Sequence, residues 1–358
     1  MKIMQIIPHF SLAGAEIMCE NLIYELTNNG HETVAVSLYT KETAITERLK
    51  KSGIKVYYLD KKEGFDFSLY GKIKKIIKKE SPDVIHTHLH VMKYVIPAIR
   101  NRKIRKVHTI HTLAQKDSGR IGRILNKLFF KVYGVVPVAL SDVVQETIEK
   151  SYKINKNKIP VIHNGIPLEK CSPKTSYHYD SKMSILHIGT FYPPKNHKGL
   201  IEAFAAFHAI KPNSVLRLIG GGEDINEIEN LVKEFGLTEC VEFLGLQSNV
   251  YGYLHDADIF TLPSLYEGIP MTIIEAMGTG LPIVATNVGG IPDMLVDGES
   301  AILVDVDSEK IADAFLKLAN DERLREKLGT KAKSESIKFS TKIMAEKYLD
   351  IYKGMSNA

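Results

Sequence analysis

Two glutamates, Glu267 and Glu275, stand eight positions apart in LPSLYEGIPMTIIE, residues 262–275. A glycine and Pro270 follow the first carboxylate, and an apolar run begins at Met271. This order predicts a loop that enters a helix, because proline suits the first helical turn and the first N–H groups of a helix can bind an anion. Eight helical positions span a little over two turns, so both glutamates are expected along one edge of a helix, where they would contact different parts of one elongated ligand. A phosphate site between two groups that bind hydroxyls suits a nucleotide sugar. The alternative is a surface helix with two solvated acids.

Lys195 offers the positive charge that a phosphate group requires. It follows two prolines in TFYPPKNHKG, between a strand predicted at 184–189 and a helix predicted at 199–210. A cation at this point is well placed to bind phosphate, although a solvated loop lysine has the same pattern. The next predicted strand ends in a GGGE turn, which brings strand and helix close but lacks the spacing of a dinucleotide fingerprint.

Histidines mark two predicted strands of the first half. His86, His88 and His90 alternate in PDVIHTHLH, so on a strand they share one face. Three imidazoles suggest a metal site, but no carboxylate motif stands beside them, and we favour histidines at the mouth of a cleft. His111 stands where the strand KVHTIH ends, at the sheet edge where α/β folds bind ligands. It is the stronger functional candidate, and a packed or solvent-facing histidine is the alternative.

The length and composition favour a cytosolic protein of two domains. A chain of 358 residues exceeds one comfortable core. No apolar stretch is long enough to span a membrane, and the N-terminus MKIMQIIPHF lacks a signal-peptide pattern. Cys19, Cys171 and Cys240 are too few and too scattered for a disulfide framework or a zinc pattern, so we expect free thiols.

Strands and helices alternate in both halves and would position these residues. Lys2–Ile7 leads through the loop HFSLAGAE into a helix near Ile17, which is the first βα unit of a doubly wound fold. Gly14 in that loop would let the backbone approach a ligand closely. The repetition predicts two Rossmann-like α/β domains with parallel sheets that face a central cleft, where the ligand binds.

Basic residues prevail in the first half and acidic residues in the second. In GKIKKIIKKE, residues 71–80, isoleucines recur at helical spacing under a lysine-rich face. This pattern fits a helix on an anionic membrane surface, and it fits equally a solvated helix that packs its isoleucines on a sheet. Nucleic acid is not expected, because aromatic residues do not interleave with the charges. The residues of the candidate membrane surface are Lys72, Lys74, Lys75, Lys78, Lys79, Arg100, Arg102, Lys103, Arg105 and Lys106.

The motifs taken together resemble a known family. SLAGAE, PVIHNGIP, HIGTFYPPKNHKGL, LRLIGGGE, VEFLG, DADIFTLPSLYEGIPMTIIEAM, GLPIVATNVGGIPD and DGESAILV resemble, in this order, the motifs of the retaining family-four glycosyltransferases of GT-B fold. The match covers nearly all of the second half. Within the family the chain is most similar to bacterial enzymes that assemble capsular polysaccharide, exopolysaccharide or lipopolysaccharide.

The resemblance implies a role for each matched residue. Glu267 would contact hydroxyls of the donor sugar, Glu275 would bind the ribose hydroxyls, and His111 would lie near the sugar. Lys195 would neutralise the diphosphate, with Gly14 against it from the first domain. The remaining donor-binding positions are Gly189, Leu246 facing the base, and the backbone of Ile269, Pro270, Met271 and Thr272.

One position departs from the family pattern. The family usually carries an arginine directly after the glycine of the strand that ends at Gly189, where this chain has Thr190. Threonine cannot supply a guanidinium fork, so stabilisation of the diphosphate would depend more on Lys195. Lys198 is a candidate substitute for the missing arginine.

The resemblance also implies a division of labour between the domains. An N-terminal acceptor-binding domain is expected at 1–165 with 343–358, since the last segment resembles a helix that crosses back to the first domain. A C-terminal donor-binding domain is expected at 166–342. Turn signals and the polar stretch 169–182 predict the linker there.

The implied reaction is transfer of a hexose, with retention, from a nucleoside diphosphate sugar, in the first place a UDP-sugar, to a glycan or polyprenyl-linked acceptor. No cofactor or metal is expected, because the Asp-x-Asp formed by Asp256 and Asp258 is predicted at a helix-to-strand junction. Three alternatives stay open: a GT-B nucleotide-sugar epimerase, a metal-dependent hydrolase built on the histidines, and a noncatalytic sugar-binding scaffold.

Overall fold

Residues 1–99, 103–179 and 182–355 are described by the structure, a computed structural model, and they form two units that each surround one parallel sheet. The first unit comprises Met1–Gly165 and the chain from Thr341 onward, and the second comprises Ile166–Ser340. The predicted α/β fold class is confirmed. The second change of unit lies two residues before the predicted position.

The first sheet consists of short strands whose residues are mostly buried, as expected when helices cover both faces, except in the edge strand β3 (Lys55–Tyr58), where they are half-buried or exposed. Its strand order is β3-β2-β1-β4-β5-β6, and every pairing is parallel. The strands are β1 (Lys2–Ile7), β2 (Glu32–Ser37), β3 (Lys55–Tyr58), β4 (Val84–His88), β5 (Arg105–Ile110) and β6 (Val135–Ala139). The helices between them are α1 (Gly14–Asn28), α2 (Ala44–Lys51), α3 (Ser68–Glu80), α4 (Met92–Val95), α5 (Ala114–Asp117), α6 (Arg120–Lys131) and α7 (Asp142–Tyr152).

The second sheet repeats this plan in the order β12-β11-β10-β7-β8-β9, again with parallel pairings. Its strands are β7 (Met183–Ile188), β8 (Ser214–Ile219), β9 (Val241–Phe243), β10 (Ile259–Leu262), β11 (Ile283–Thr286) and β12 (Ile302–Val304). Its helices are α8 (His197–Ile210), α9 (Ile225–Glu234), α10 (Tyr251–Asp256), α11 (Met271–Thr279), α12 (Ser308–Asn320) and α13 (Glu322–Ser336). The last helix of the chain, α14 (Thr341–Lys353), returns to the first unit and packs against α1.

Both sheets have the doubly wound order in which the chain starts at the centre and reverses direction once. The reversal lies between β1 and β4 in the first unit and between β7 and β10 in the second. At such a switch point the loops that follow two neighbouring strands diverge, and ligands of open α/β sheets bind at the carboxyl ends of those strands. The topology therefore indicates one candidate ligand edge in each unit.

The lysine-rich helix α3 decides between two sequence interpretations. Ile73 and Ile77 are buried in the core of the first unit, where they pack with residues of β1, β2 and β4. The apolar face of α3 is therefore covered by its own sheet and is not available to a membrane. Arg100 and Arg102 lie outside the described residues.

The polar stretch predicted as a linker is held on the second unit. The Tyr177 hydroxyl donates to the carbonyl oxygen of Gly280 at 2.8 Å, and the Arg325 guanidinium donates to the carbonyl oxygen of Tyr177 at 2.7 and 2.9 Å. The chain changes unit earlier, at Gly165 and Ile166. The lack of periodicity predicts a linker at 169–182, whereas in the structure side-chain hydrogen bonds hold Tyr177 on the second unit.

Candidate functional site

The switch point of the second unit brings Lys195 and Glu267 together. Lys195 lies in the loop after β7 and Glu267 in the loop after β10, and these strands are neighbours in the sheet. The Lys195 Nζ donates to Glu267 Oε1 at 2.5 Å. The lysine side chain is 21% exposed and the glutamate 10%, so the pair is largely desolvated yet still reachable. The structure thus joins two residues that the sequence indicated separately.

Glu267 is held by the Ser264 hydroxyl, and Ser264 is held in turn by the Thr286 hydroxyl. The Ser264 hydroxyl donates to Glu267 Oε1 at 2.6 Å, and the Thr286 hydroxyl donates to the Ser264 carbonyl oxygen, also at 2.6 Å. Ser264 and Thr286 are fully buried. Glu267 Oε1 thus accepts from both Lys195 and Ser264, and these two bonds fix the position of the carboxylate.

Lys195 is positioned by a short 3-10 turn, Pro193–Lys195, that ends at Asn196 in the left-handed conformation with φ +54°. The Asn196 side chain accepts from the N–H of Gly199 at the start of α8 and donates to the Pro263 carbonyl oxygen at 3.1 Å. One amide therefore caps a helix and ties the lysine loop to the glutamate loop.

Close backbone packing shapes the glutamate turn. A Cβ atom on Gly289, whose φ is +57°, would lie 1.9 Å from the Glu267 carbonyl oxygen, and one on Gly290 would lie 2.2 Å from that of Gly268. Only glycine allows the NVGGIPD loop to approach so closely. The GGGE turn behaves in the same way, because a Cβ on Gly220 would lie 1.9 Å from the Gly189 carbonyl oxygen.

Helix α11 begins at Met271, as predicted, and presents its N-terminus beside the ion pair. Pro270 is its N-cap residue, and no side chain of the described residues caps it. The first N–H groups and the helix dipole therefore create positive potential there. Glu267 itself precedes the helix, in the loop. The expectation that both glutamates lie along one helical edge is therefore wrong, because the helix contains only the second.

Glu275 lies in α11 and is 8% exposed. Loss of water around its carboxyl group raises the pKa from 4.5 to about 8. The carboxyl group is therefore mostly protonated at neutral pH and can donate as well as accept a hydrogen bond. The Cys171 thiol contacts the Glu275 carbonyl oxygen at 4.0 Å.

The other donor-site candidates fall around these loops. Gly189 and Thr190 are half-buried at the end of β7, and Lys198 is exposed in the first turn of α8. Leu246 is 65% exposed, and its Cγ lies 3.3 Å from where a Cβ of Gly221 would be. Ile269, Pro270, Met271 and Thr272 form the turn into α11.

The switch point of the first unit includes the loop after β1 and the start of α1, where His9 Nδ1 lies 3.5 Å from Glu16 Oε1. Gly14 begins α1 and is exposed, and no described atom lies within 4 Å of the position of a Cβ there. Its φ is not in the left-handed region. Internal packing therefore does not require a glycine, and the open helix start leaves room for a ligand.

His111 follows β5 and starts a chain of hydrogen bonds that runs through the core. Its Nε2 lies 3.0 Å from His88 Nδ1, and His88 Nε2 lies 2.9 Å from the Gln5 carboxamide oxygen. The Gln5 amide donates to the Tyr352 hydroxyl at 3.3 Å, and that hydroxyl lies 2.7 Å from His86 Nδ1. The chain ends at Thr109 and Tyr348, with distances of 2.8 Å.

The direction of these bonds fixes the protons on the two histidines nearest the edge. Burial lowers the pKa of His111 to about 3, with the His108 charge a lesser cause, and lowers the pKa of His88 well below 6.5, so both rings are neutral. The Gln5 oxygen only accepts, hence His88 carries its proton on Nε2 and accepts on Nδ1. His111 must then donate from Nε2, which leaves a lone pair on its Nδ1.

The predicted histidine face is only partly correct. His86 and His88 share a face of β4, with ring centroids 4.2 Å apart, but His90 lies beyond the strand and is exposed. Both buried rings are engaged by protein partners. Within residues 1–99, 103–179 and 182–355, no group of three metal-binding side chains is arranged to hold an ion. The three histidines therefore do not form the set of metal ligands that a metal-dependent hydrolase would require.

Two kinds of residue that position the site side chains were not predicted from the sequence. Asn196 had a usable signal, since an asparagine directly before a helix is a common cap. Gln5 and Tyr352 had none, because their contact joins residues 347 positions apart.

Comparisons with known proteins agree with this geometry. The family described as "Glycosyltransferase Family 4" matches residues 12–170, and that described as "Glycosyl transferases group 1" matches 172–335. Together they span both units, and the chain belongs to the glycosyltransferases that combine these two domains.

Two curated relatives and one solved structure illustrate the similarity. An N-acetyl-alpha-D-glucosaminyl L-malate synthase of Bacillus anthracis is 26% identical, over 96% of this chain and 94% of its own. A UDP-Gal:alpha-D-GlcNAc-diphosphoundecaprenol alpha-1,3-galactosyltransferase of Escherichia coli is 27% identical, over 70% of each chain. The Anabaena protein HepE, solved with UDP and glucose, superimposes with a TM-score of 0.86 at 17% identity, covering 99% of both chains. The fold is therefore GT-B.

Proposed function

We propose that this glycosyltransferase moves a hexose from a nucleoside diphosphate sugar to a glycan or polyprenyl-linked acceptor, with retention of the anomeric configuration and without a metal ion. The observation that carries the proposal is the desolvated Lys195–Glu267 pair at the switch point, beside the open N-terminus of α11. A cation and a helix start suit a diphosphate, and a carboxylate next to them suits sugar hydroxyls.

Lys195 and the N–H groups of Met271 and Thr272 act on the leaving diphosphate. Negative charge grows there as the bond to the sugar breaks, and each pre-positioned donor is worth about 2.7–4 kcal/mol in such a role. These groups would meet the charge that a metal ion meets in other transferases. Lys198 is exposed nearby and is a secondary candidate in place of the arginine that Thr190 replaces.

Glu267 accepts hydrogen bonds from donor-sugar hydroxyls, and Glu275 binds the ribose. His111 offers a lone pair on Nδ1 to a sugar hydroxyl. In the same-face route the leaving phosphate takes the proton of the acceptor hydroxyl, so the new bond forms where the old one breaks. A covalent route through Glu267 is the alternative.

The relatives support the donor and acceptor classes. The name of the Escherichia coli relative specifies UDP-Gal and a diphosphoundecaprenol-linked acceptor, and HepE was solved with UDP. A UDP-sugar is therefore the first donor to test, and the assembly of cell-surface polysaccharide, such as a capsule, is the first process. The first unit would then bind the acceptor and the second the donor.

A screen of nucleotide sugars tests the proposal in two stages. Binding to the folded protein must raise its melting temperature, so the donor is the nucleotide sugar that does so at the lowest concentration. With that donor and an undecaprenyl diphosphate–linked sugar, we expect release of nucleoside diphosphate and an α-linked product from an α-linked donor, measured by NMR. An inverted product contradicts retention, and turnover abolished by a chelator and restored by a divalent cation contradicts metal independence.

The same assay separates the rivals. An epimerase would convert the donor alone into an isomeric sugar, which chromatography of the donor detects. A noncatalytic scaffold would show thermal stabilisation and release no nucleotide. Either result would replace glycosyl transfer as the activity of this site.

A further inference from the structure

Helix α6 carries an apolar stripe that faces away from the protein. Ile121 is 77% exposed and Ile124 70%, followed along the same side by Leu128 and Val132. Their spacing of three and four residues places them on one face. The opposite face holds Phe129 and Phe130 in the core, and these rings account for the helix packing. The exposed stripe therefore does not serve the fold of the first unit.

Four positive charges border this stripe. Arg120, Arg123, Lys127 and Lys131 also follow each other at three- and four-residue spacing, which puts them on the side of the helix next to the isoleucines. The sequence from Ser118 to Ser141 contains no acidic residue. Side by side, α6 presents a basic stripe, an exposed apolar stripe and a buried stripe.

We propose that this face of α6 binds the surface of an anionic lipid bilayer. A helix with these three stripes can lie in the plane of the interface, with its aliphatic side chains among the acyl chains and its cations among the headgroups. A second copy of the chain is disfavoured, because a two-fold contact through this face would bring the two basic stripes together. The surface differs from that predicted on α3, whose isoleucines are buried, and its binding does not require the proposed sugar chemistry.

The absence of tryptophan from the sequence provides a clean probe. We compare Ile124→Trp with Lys75→Trp, which places the probe on an exposed position of α3. In vesicles of phosphatidylcholine with phosphatidylglycerol, the emission of the α6 variant is expected to shift to shorter wavelength and to be quenched by brominated acyl chains. The α3 variant is expected to do neither. An α6 probe that stays in water overturns the proposal.

Partition measurements separate the apolar from the electrostatic contribution. Ile121→Ser with Ile124→Ser should lower the vesicle partition coefficient at least about tenfold, because two aliphatic side chains no longer enter the bilayer. Arg120→Gln with Lys131→Gln should lower it about 30-fold in anionic vesicles, at about 1 kcal/mol for each cation. The matched control, Lys74→Gln with Lys75→Gln on α3, removes the same charge and should have less effect.

Three outcomes contradict the proposal. Equal losses from the α6 and α3 charge variants would show nonspecific attraction to the basic unit. Unchanged partition of the isoleucine variant would show that the apolar stripe stays out of the bilayer. A wild-type dimer in light scattering that the isoleucine variant abolishes, without vesicle binding, would assign the face to a second copy. All variants change exposed side chains, so their melting temperatures should match the wild type.

Discussion

The two switch points share one topology and differ in electrostatics. In the second unit the edge holds a charged pair, Lys195 and Glu267, close to the N-terminus of α11. In the first unit His88 ends β4, one of the two switch-point strands, and contacts His111 after β5, in a hydrogen-bonded chain whose imidazoles burial keeps neutral. The same strand order thus supports an edge with a lysine–glutamate pair and an edge with neutral imidazoles.

The difference follows from what surrounds each group. Lys195 and Glu267 contact each other as a pair of opposite charge, and both side chains keep some contact with water. His86 and His88 are fully buried and have only neutral partners, so desolvation removes their protons. A charged edge suits a phosphate and a neutral edge suits a sugar hydroxyl, in line with the division of labour that we propose.

Removing the cation should have the largest effect. We expect Lys195→Met to lower kcat by about 10²- to 10³-fold, because one donor to the developing negative charge is lost. Lys233→Met is the matched control, since that lysine is exposed on α9 of the same unit and is not assigned to the site. Equal losses in the two variants would contradict the special role of Lys195.

The buried carboxyl group of Glu275 should make the free energy of unfolding depend on pH. Its pKa in the folded state, about 8, lies above its usual 4.5, so the protonated form stabilises the fold and this contribution is lost as pH rises from about 4.5 to about 8. We expect Glu275→Gln to be more stable than the wild type by a few kcal/mol at about pH 8, with the difference shrinking toward about pH 5.

The measurement is chemical unfolding of both proteins across that range. Glu299→Gln, an exposed acid of the same unit, is the control and should show a small, constant difference. A difference between Glu275→Gln and the wild type that does not change with pH would mean that the carboxyl group is ionised in the folded protein.

Gly289 tests whether the glutamate turn depends on close backbone packing. A Cβ there would meet the Glu267 carbonyl oxygen at 1.9 Å and also force a side chain into positive φ. We expect Gly289→Ala to lose about 2–3 kcal/mol of unfolding free energy and to weaken donor binding. Gly298→Ala is the control: its φ is +71°, but no described atom lies within 4 Å of its Cβ position, so only about 1 kcal/mol should be lost.

The sequence predicted the fold class and the start of α11, because these depend on signals within a few residues, such as the proline before Met271. It predicted Lys195 and Glu267 as candidates but not their contact, which spans 72 positions and depends on which strands are neighbours. Its candidate helix for a membrane surface was α3, and the exposed apolar stripe of α6 was not predicted. Helical periodicity shows that one face is apolar, and only the fold shows what covers that face.

The smallest effect is expected for the hydrogen-bonded chain that starts at His111, and it is tested by a substitution at Tyr352. In Tyr352→Phe the Gln5 amide loses the acceptor that orients it, so its oxygen no longer has to face His88. His88 can then carry its proton on Nδ1 and donate to His111, which moves the His111 proton to its own Nδ1. Tyr152→Phe removes another buried hydroxyl of the same unit outside this chain and is the matched control.

Long-range proton–nitrogen NMR of labelled histidines reads the tautomer directly. We expect the wild type and Tyr152→Phe to show His111 protonated on Nε2, and Tyr352→Phe to show a mixture of both tautomers, with about 1 kcal/mol lost in unfolding free energy. If sugar hydroxyls bind to the Nδ1 lone pair, the same variant should raise KM for the donor more than it lowers kcat. A wild-type His111 protonated on Nδ1 would reverse the direction of the whole chain, and an unchanged tautomer in Tyr352→Phe would show that α14 does not control this edge.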